Sequence, residues 1–217
     1  MERYLATVDI LQSLSPEERE QLASASRERF FAKGETVFFA GEPADALHLV
    51  KEGRVHMKKF MDNGHAVTLC LMTKNELFCC LPALDGKPFA LDAVAAVDSV
   101  VVRIPREAFK ALLDRNPRFL QDVLENFCGR LRRMEQKGCI AGDPVEQRLA
   151  YTLLVLSDKF GETIPLTKQE LASMTNTTVE TTIRVLSHLK KQGVVESSRG
   201  STTIVQRDRL KGISEAP

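Results

Sequence analysis

Two short runs of apolar residues with helical spacing lie between Leu166 and Gly193. Apolar residues that recur every three or four positions predict one buried face on each of two helices. Residues 175–177, Thr-Asn-Thr, favour a turn between them. Thr177 and Glu180 have the spacing of a capping box, which predicts that the second helix begins there and ends at Gly193. The two apolar runs are Leu166, Leu171 and Met174, then Val179, Ile183, Leu186 and Leu189.

A strand–turn–strand pattern follows directly after the second helix. Residues 194–196 and 203–205 favour strands, and the segment 197–202 between them contains a glycine. Two helices joined by a tight turn and followed by a hairpin predict a winged helix–turn–helix, whose second helix enters the major groove of DNA. The simpler alternative is a surface helix hairpin, in which Glu180 only caps the helix and the exposed charges support it.

Two charged side chains on the second helix suit base recognition. Glu180 and Arg184 lie one turn apart on the predicted exposed face. A carboxylate can accept a hydrogen bond from cytosine, and a guanidinium can pair with guanine through two hydrogen bonds. Arg199, near the tip of the predicted hairpin, is expected to reach a phosphate.

The first half of the chain has a different pattern, in which glycines separate short β-rich runs. Many short strands with regular turn signals predict a β-sandwich or barrel. Residues 1–29 are expected to form short helices, one of them with Ser15 as its cap and Pro16 at its first position. The predicted strands are 36–40, 46–51, 54–60, 66–72 and 91–104.

A heptad pattern follows the β-rich part. Residues 105–115 predict a short helix, and a longer helix begins at Pro117. Its apolar positions alternate between spacings of four and three residues, which is typical of a helix that pairs with a second copy of itself. Packing against the β-rich part of the same chain is the alternative. The seam consists of Leu120, Leu124, Phe127, Leu131 and Met134.

Breaks in these patterns predict three segments. Gly142, Asp143 and Pro144 interrupt the long helix, and residues 145–160 favour another amphipathic helix. We therefore expect an effector-sensing domain at 1–116, a dimerisation helix at 117–142 and a DNA-binding domain at 143–217.

Composition limits the classes of protein that the chain can represent. Its 217 residues are 43% hydrophobic and 27% charged, as in an ordinary globular protein. The net charge of +1 shows no overall preference for nucleic acid, so DNA binding would depend on where the charges lie. No apolar run approaches the length of a membrane span, and the first residues do not resemble a signal peptide. Five cysteines without such a signal predict reduced thiols and a cytoplasmic location.

The residues of the β-rich part resemble a known family. Residues 31–59, FAKGETVFFAGEPADALHLVKEGRVHMKK, and the later segments LDGKP and TVETTIRVL are similar to the CRP/FNR superfamily, named after the cyclic-AMP receptor protein and the fumarate-nitrate regulator. The resemblance implies an α+β fold: an N-terminal cyclic-nucleotide-binding-like β-roll, a long dimerisation helix and a C-terminal winged helix–turn–helix. It also implies a homodimer that binds a two-fold symmetric double-stranded DNA site, and RNA polymerase as a partner if the protein is an activator.

The resemblance extends to individual positions on the second helix. It implies that Glu180 reads a cytosine and Arg184 a guanine of the same half-site. Val179 matches the fumarate-nitrate branch, whereas Ile183 stands where that branch has serine, so the base read there is expected to differ. Weaker candidates for phosphate contacts are Thr177, Thr178, Lys168, His188, Lys191 and Arg199.

The family's cyclic-nucleotide cassette is altered in this chain. The resemblance places Cys79 and Cys80 where the family has Gly-Glu, and Phe89 and Ala90 where it has Arg-Ser. A buried phosphate without its arginine would be costly to desolvate. The segment between Leu120 and Tyr151 also lacks the serine and threonine that the family uses to contact adenine. We therefore expect that the chain does not bind cyclic AMP.

The altered cassette predicts an apolar site in place of the nucleotide. One interpretation is a filled core without a ligand, so that the protein acts constitutively. The other is a pocket for a small-molecule or gas effector, for which haem is a possible cofactor. Cys79 lies near the position of the haem-ligating cysteine in the family's carbon-monoxide sensor, but Leu81 replaces a later histidine. The candidate lining is Phe78, Cys79, Cys80, Leu81, Phe89, Ala90 and Met134.

Other chemistries find little support in the sequence. An iron–sulfur cluster is not expected, because no cysteine precedes Cys70, whereas the fumarate-nitrate branch uses an N-terminal cluster. The adjacent Cys79 and Cys80 fit buried thiols better than a strained disulfide. The chain has no GxSxG, HExxH or P-loop motif, so we predict no enzyme activity, no catalytic residues and no metal site. A haem- or thiol-dependent redox protein is the alternative from another class.

Overall fold

The computed structural model describes residues 1–60 and 66–215. Contacts divide these residues into two units. The first comprises Met1–Phe60 and Leu69–Arg132, and the second comprises residues 66–68 and 133–215.

Five α-helices and eight strands of the described residues lie wholly or partly in the first unit. The helices are α1 (Glu2–Leu5), α2 (Pro16–Ala25), α3 (Cys80–Asp85), α4 (Arg106–Arg115) and α5 (Pro117–Cys139), the last of which continues into the second unit. The strands are β1 (Arg27–Phe31), β2 (Thr36–Phe38), β3 (Ala46–Glu52), β4 (Arg54–Phe60), β5 (Ala66–Thr73), β6 (Leu77–Phe78), β7 (Asp92–Ala95) and β8 (Ser99–Pro105).

The strands form two four-stranded sheets, in the orders β1-β8-β3-β6 and β2-β7-β4-β5. β3 is buried on both faces. Leu47 and Leu49 point to a core shared with the helices, whereas Val50 belongs to a second core that includes Phe38 and Phe78. The predicted β-roll and the α+β class are confirmed.

Two local predictions in this unit were wrong, and one element was missed. Residues 27–29, expected to be helical, belong to strand β1, because β1 pairs with β8 from Arg27 opposite Arg103 onward. The predicted strand 91–104 is two strands, since β7 pairs with β2 and β4 in one sheet and β8 pairs with β1 and β3 in the other. Helix α3 was not predicted at all.

Capping explains why α2 begins where the sequence predicts. Ser15 Oγ accepts a hydrogen bond from the Glu18 amide at 3.2 Å, and Glu18 Oε2 accepts one from the Ser15 amide at 2.8 Å. Pro16 occupies the first helical position. The two reciprocal bonds satisfy amides that the helix itself leaves unpaired.

The long helix α5 is apolar on two sides. Phe119 and Val123 are buried in the core of the first unit, and Phe127 packs partly against that core. The other seam positions stay exposed by 39–60%; they are Leu120, Leu124, Leu131 and Met134. Phe127 therefore lies at the edge of the predicted seam, between the side of α5 that faces the core and the side that is exposed.

The second unit contains the remaining elements, with α6 spanning the residues predicted for it. They are α6 (Val145–Phe160), β9 (Thr163–Ile164), α7 (Lys168–Met174), α8 (Val179–Lys191), β10 (Val195–Ser198), β11 (Ser201–Ile204) and α9 (Arg207–Ser214). Leu149, Leu153 and Leu156 of α6 are buried, as their spacing predicts. The three strands form an antiparallel sheet in the order β10-β11-β9.

His48 makes the first unit sensitive to acid. Burial, aided by the charge of Arg103, lowers its pKa to about 4. The folded state holds His48 neutral, whereas the unfolded chain protonates it near pH 6.5. The free energy of unfolding is therefore unaffected by His48 above pH 6.5 and decreases as the pH falls from there towards 4.

The effect of His48 can be measured by urea unfolding. Between pH 7 and 4.5, we expect the free energy of unfolding of wild type to decrease by about 2–3 kcal/mol more than that of His48→Gln. His188→Gln, at an exposed histidine, serves as the control; equal losses in wild type and His48→Gln would contradict the prediction.

Candidate nucleic-acid interface

The first helix of the helix–turn–helix is fixed by a capping box. Thr167 Oγ1 accepts a hydrogen bond from the Glu170 amide at 3.2 Å, and Glu170 Oε2 accepts one from the Thr167 amide at 2.8 Å. Leu171, Ala172 and Met174 of α7 are buried. The helix therefore has a defined start and a single buried face.

The second helix begins one residue later than the sequence predicts. Thr178 is the N-cap of α8, and its hydroxyl accepts from the Thr181 amide at 3.2 Å. Thr177 belongs to the turn, since its amide donates to the Ala172 carbonyl at 3.0 Å. The predicted capping box between Thr177 and Glu180 is therefore wrong. Glu180 is exposed and has no hydrogen bond or ion pair to any residue that the structure describes.

The two faces of α8 are sharply different. Thr182, Leu186 and Leu189 face the core, each no more than 2% exposed. The buried Thr182 is tolerated because its hydroxyl donates to the Thr178 carbonyl at 3.0 Å. Ile183 is 49% exposed, which corrects its assignment to the buried set.

The exposed face of α8 brings together side chains predicted to read bases. Glu180 and Arg184 are exposed on it beside Ile183, and Val179 is half-buried at its start. This face offers an acceptor at Glu180, an apolar group at Ile183 and a guanidinium at Arg184, which are groups that can contact base edges.

The predicted wing is present. β10 and β11 pair from Val195 opposite Ile204 to Ser198 opposite Ser201, and Gly200 in the turn has φ +82°. Arg199 is exposed at the tip. Lys168 Nζ donates to the carbonyl of Ser198, and its distance to the Ser201 carbonyl is 3.4 Å. Lys168, predicted as a phosphate contact, is thus engaged with the wing.

Of the other side chains predicted to contact phosphates, some have intrachain contacts and some have none among the described residues. Thr177 is half-buried in the turn, and Thr178 caps the helix. His188 Nε2 lies 2.8 Å from Gln192 Nε2 and 3.8 Å from Glu146 Oε1. Lys191 and Arg199 are exposed and have no partner among the described residues.

Lys190 is a further cation of α8 that was not among the predicted contacts. It lines a cleft of about 350 Å³ between α8 and the wing, together with Glu196, Ser197, Ser198 and Thr203. Its ammonium group has no partner among the described residues. A positive charge in this cleft suits the DNA backbone, and its position beside Lys191 was the available sequence signal.

Arg148 of α6 holds the turn of the helix–turn–helix. Its guanidinium donates to the carbonyls of Thr175 at 3.1 Å, Asn176 at 3.4 Å and Asp143. Asn176 has φ +49°, a left-handed conformation that asparagine tolerates better than most residues. No sequence spacing marks Arg148, because its turn partners lie 27 and 28 residues away.

The interior of the β-roll is filled with stacked rings where an effector site was predicted. The Phe38 and Phe89 ring centroids are 3.9 Å apart, and His48 lies 5.0 Å from Phe38 and 5.4 Å from Phe78. Cys80 is also buried, and Cys79 is half-buried. These contacts match the filled-core interpretation of the sequence.

Several residues predicted to line an apolar pocket do not lie in a buried space. Leu81 is 64% exposed, Met134 is 60% exposed, and Ala90 is also exposed. Leu81 and Ala90 flank the buried Cys80 and Phe89, so the local backbone turns them outward. The assignment of these residues to an effector pocket stays a prediction, since their exposure is that of a single chain.

The thiols of the altered cassette are held protonated. Burial and the neighbouring Cys80 raise the pKa of Cys79, and burial raises the pKa of Cys80 to about 11. Arg130 of α5 opposes both shifts, and it also donates to the Leu77 carbonyl. Cys79 packs against the core that contains Phe38, Phe78 and Phe89, so a haem bound to its sulfur would have to displace these rings. The packing around Cys79 therefore does not fit a haem site.

The described residues also bear on metal binding and membrane insertion. Within residues 1–60 and 66–215, no three His, Cys, Asp or Glu side chains are grouped so that they could hold a metal ion. None of the helices described is both long and apolar enough to cross a membrane.

A β-roll followed by a long helix and a winged helix–turn–helix defines a DNA-binding transcription regulator, and comparison with known proteins agrees. Residues 28–116 match the cyclic nucleotide-binding domain, and residues 147–213 match the Crp-like helix-turn-helix domain. This chain belongs to the CRP/FNR family of transcription regulators.

Relatives align over nearly the whole chain. The cyclic AMP receptor protein of Thermus thermophilus is 29% identical over 94% of this chain and 96% of its own length. The CRP-like cAMP-activated global transcriptional regulator of Mycobacterium tuberculosis is 26% identical over 97% and 98%. The solved structure of FixK2 from Bradyrhizobium japonicum has a TM-score of 0.80 at 22% identity, covering 88% of this chain and 98% of that one, and it supports the fold.

Replacing Arg148 should loosen the turn that places α8. Arg148→Met removes donors from three carbonyls, and hydrogen bonds to charged groups contribute about 1.5–3 kcal/mol each when well formed. We expect a loss of about 2 kcal/mol in stability and faster hydrogen exchange at the Thr177 amide, measured by urea unfolding and mass spectrometry.

Two variants control this measurement. Arg148→Lys keeps the charge but cannot span three carbonyls, so its effect should be intermediate. Lys191→Met removes an exposed cation and should change neither readout. An Arg148→Met protein with wild-type exchange at Thr177 would show that the turn does not depend on this arginine.

Proposed function

We propose that this chain is a cytoplasmic, homodimeric transcription regulator that recognises a two-fold symmetric DNA site. The observation that carries the proposal is the exposed face of α8, where Glu180, Ile183 and Arg184 are free of intrachain partners among the described residues. The buried face of the same helix fixes the direction in which these side chains point. The wing and the cation Lys190 stand beside this face as groups for the DNA backbone.

The assigned roles follow from the chemistry of each side chain. Glu180 accepts from a cytosine amino group, and Arg184 donates to a guanine of the same half-site. Ile183 offers an apolar contact such as the methyl group of thymine. Lys191, Lys190 and Arg199 contact phosphates, which adds affinity without sequence preference.

A homodimer is proposed from the outer face of α5. Leu120, Leu124, Leu131 and Met134 are 39%, 52%, 57% and 60% exposed, and their spacing is that of a paired helix. Burying such residues removes apolar surface from water. Two copies joined along α5 would present two recognition helices, so the DNA site would be two-fold symmetric.

The proposed domains follow the sequence boundaries. Residues 1–116 act as the effector-sensing domain, 117–142 as the dimerisation helix and 143–217 as the DNA-binding domain. An activator of this design would also contact RNA polymerase. No catalytic role is proposed for any residue.

Cyclic AMP is not the proposed effector, although the names of two relatives mention it. Cys79 and Cys80 offer neither a carboxylate for the ribose nor a cation for the phosphate, and Phe89 stacks on Phe38 inside the roll. A small apolar or gaseous molecule could act there only by rearranging these rings. The second candidate is a regulator that acts without an effector, which the tight stacking favours.

Specific DNA binding can be tested on Arg184. A pool of two-fold symmetric duplexes is first used to select the preferred site of the wild-type dimer. On that site, Arg184→Ala should lose about 1–3 kcal/mol of binding free energy and tolerate substitution of one base pair per half-site, measured by fluorescence anisotropy. Adding cyclic AMP should leave unchanged the wild-type concentration at which half of the duplex is bound.

Lys191→Ala is the matched control for this experiment. It removes an exposed cation from the same helix, so it should weaken all sequences equally and lower the salt dependence of binding. If wild type selects no sequence, or if Arg184→Ala weakens all duplexes equally, the base-reading role is wrong.

The dimer can be tested on Leu131. Leu131→Glu places a carboxylate in the proposed seam of both copies, and burying two unpaired charges is unfavourable. We expect a monomer in multi-angle light scattering and loss of tight binding to the symmetric site. Arg132→Glu, at the next position on the same helix but outside the seam, should stay dimeric. A dimeric Leu131→Glu protein would exclude the seam as the interface.

A further inference from the structure

The wing turn is held by a side chain from outside the wing. The turn runs from Ser198 to Ser201, whose hydroxyl oxygens lie 2.7 Å apart. The carbonyls of both serines are directed at Lys168 Nζ, the first helical residue of α7. One ammonium group therefore joins the two ends of the turn that carries Arg199.

The position of Lys168 is otherwise unfavourable for a cation. The N-terminus of a helix carries a partial positive charge, which repels a lysine there. The Lys168 side chain is also half-buried, and its pKa is lowered by burial and by the charge of Lys190. The carbonyl oxygens of the wing are the groups that compensate for these penalties.

We propose that Lys168 is a positioning residue for DNA binding: it fixes the wing turn so that Arg199 meets the DNA backbone, and it does not itself bind a phosphate. This inference rests on the proposed function, in which the wing contacts DNA. Lys168 is turned to the wing carbonyls, whereas Lys190 and Lys191 leave their ammonium groups unpartnered among the described residues.

Salt dependence separates a positioning lysine from a phosphate-binding lysine. Each phosphate contact contributes about 0.9 to the slope of log affinity against log salt. If Lys168 bound a phosphate, its loss and the loss of Arg199 would lower the slope independently. If Lys168 acts through Arg199, the second substitution should add nothing to the first.

The experiment compares full-length wild type, Lys168→Met, Arg199→Ala and the double variant on the selected duplex over a range of salt. We expect each single variant to bind on the order of tenfold more weakly and to lose about 0.9 of slope, and the double variant to match Arg199→Ala. Hydrogen exchange at the Arg199 and Gly200 amides should be faster in Lys168→Met, while Lys168→Arg restores both readouts.

Lys191→Met is the matched control. It should lower the slope of log affinity against log salt without changing amide hydrogen exchange in the wing. Additive slope losses in the double variant, or unchanged exchange in Lys168→Met, would overturn the positioning role. If wild type itself selects no site, the proposed function fails, while the exchange measurement still reports whether Lys168 holds the wing.

Discussion

The burial of one face of α8 is the constraint on which the proposed DNA-reading surface depends. Thr182, Leu186 and Leu189 are in the core, and this turns Glu180 and Arg184 outward. Rotating the helix to bury Ile183 would remove the side chains proposed to read bases from the surface. The buried face and the proposed recognition face are therefore two consequences of the same helical periodicity.

Two cations refine the arrangement around that helix by satisfying backbone carbonyls. Arg148 donates to the turn that precedes α8, and Lys168 donates to the turn of the wing that follows it. Turns expose carbonyls that no strand or helix pairs, so charged donors stabilise them more than neutral ones do. In the proposed interface, both side chains would act on DNA binding through the backbone that they hold, without touching DNA.

The β-roll keeps the family fold although the cyclic-nucleotide cassette expected from the resemblance is altered in its sequence. Stacked rings from Phe38, Phe78 and Phe89 fill the interior, and the Cys79 and Cys80 thiols are held neutral by burial. Aromatic packing stabilises the sheets, whereas a charged nucleotide would need a cation and a carboxylate that these positions do not supply. The family fold thus indicates where a signal could act but not which one.

The sequence by itself determined the order β-roll, long helix and winged helix–turn–helix, the extent of α6 and the cap of α2, because helical periodicity, turn residues and caps are local signals. It misplaced the start of α8 by one residue and overlooked β1 and α3. Only the tertiary structure decided those points and the partners of Arg148 and Lys168. A carbonyl 27 or more residues away, a neighbouring strand or a competing core face leaves no local periodicity to read.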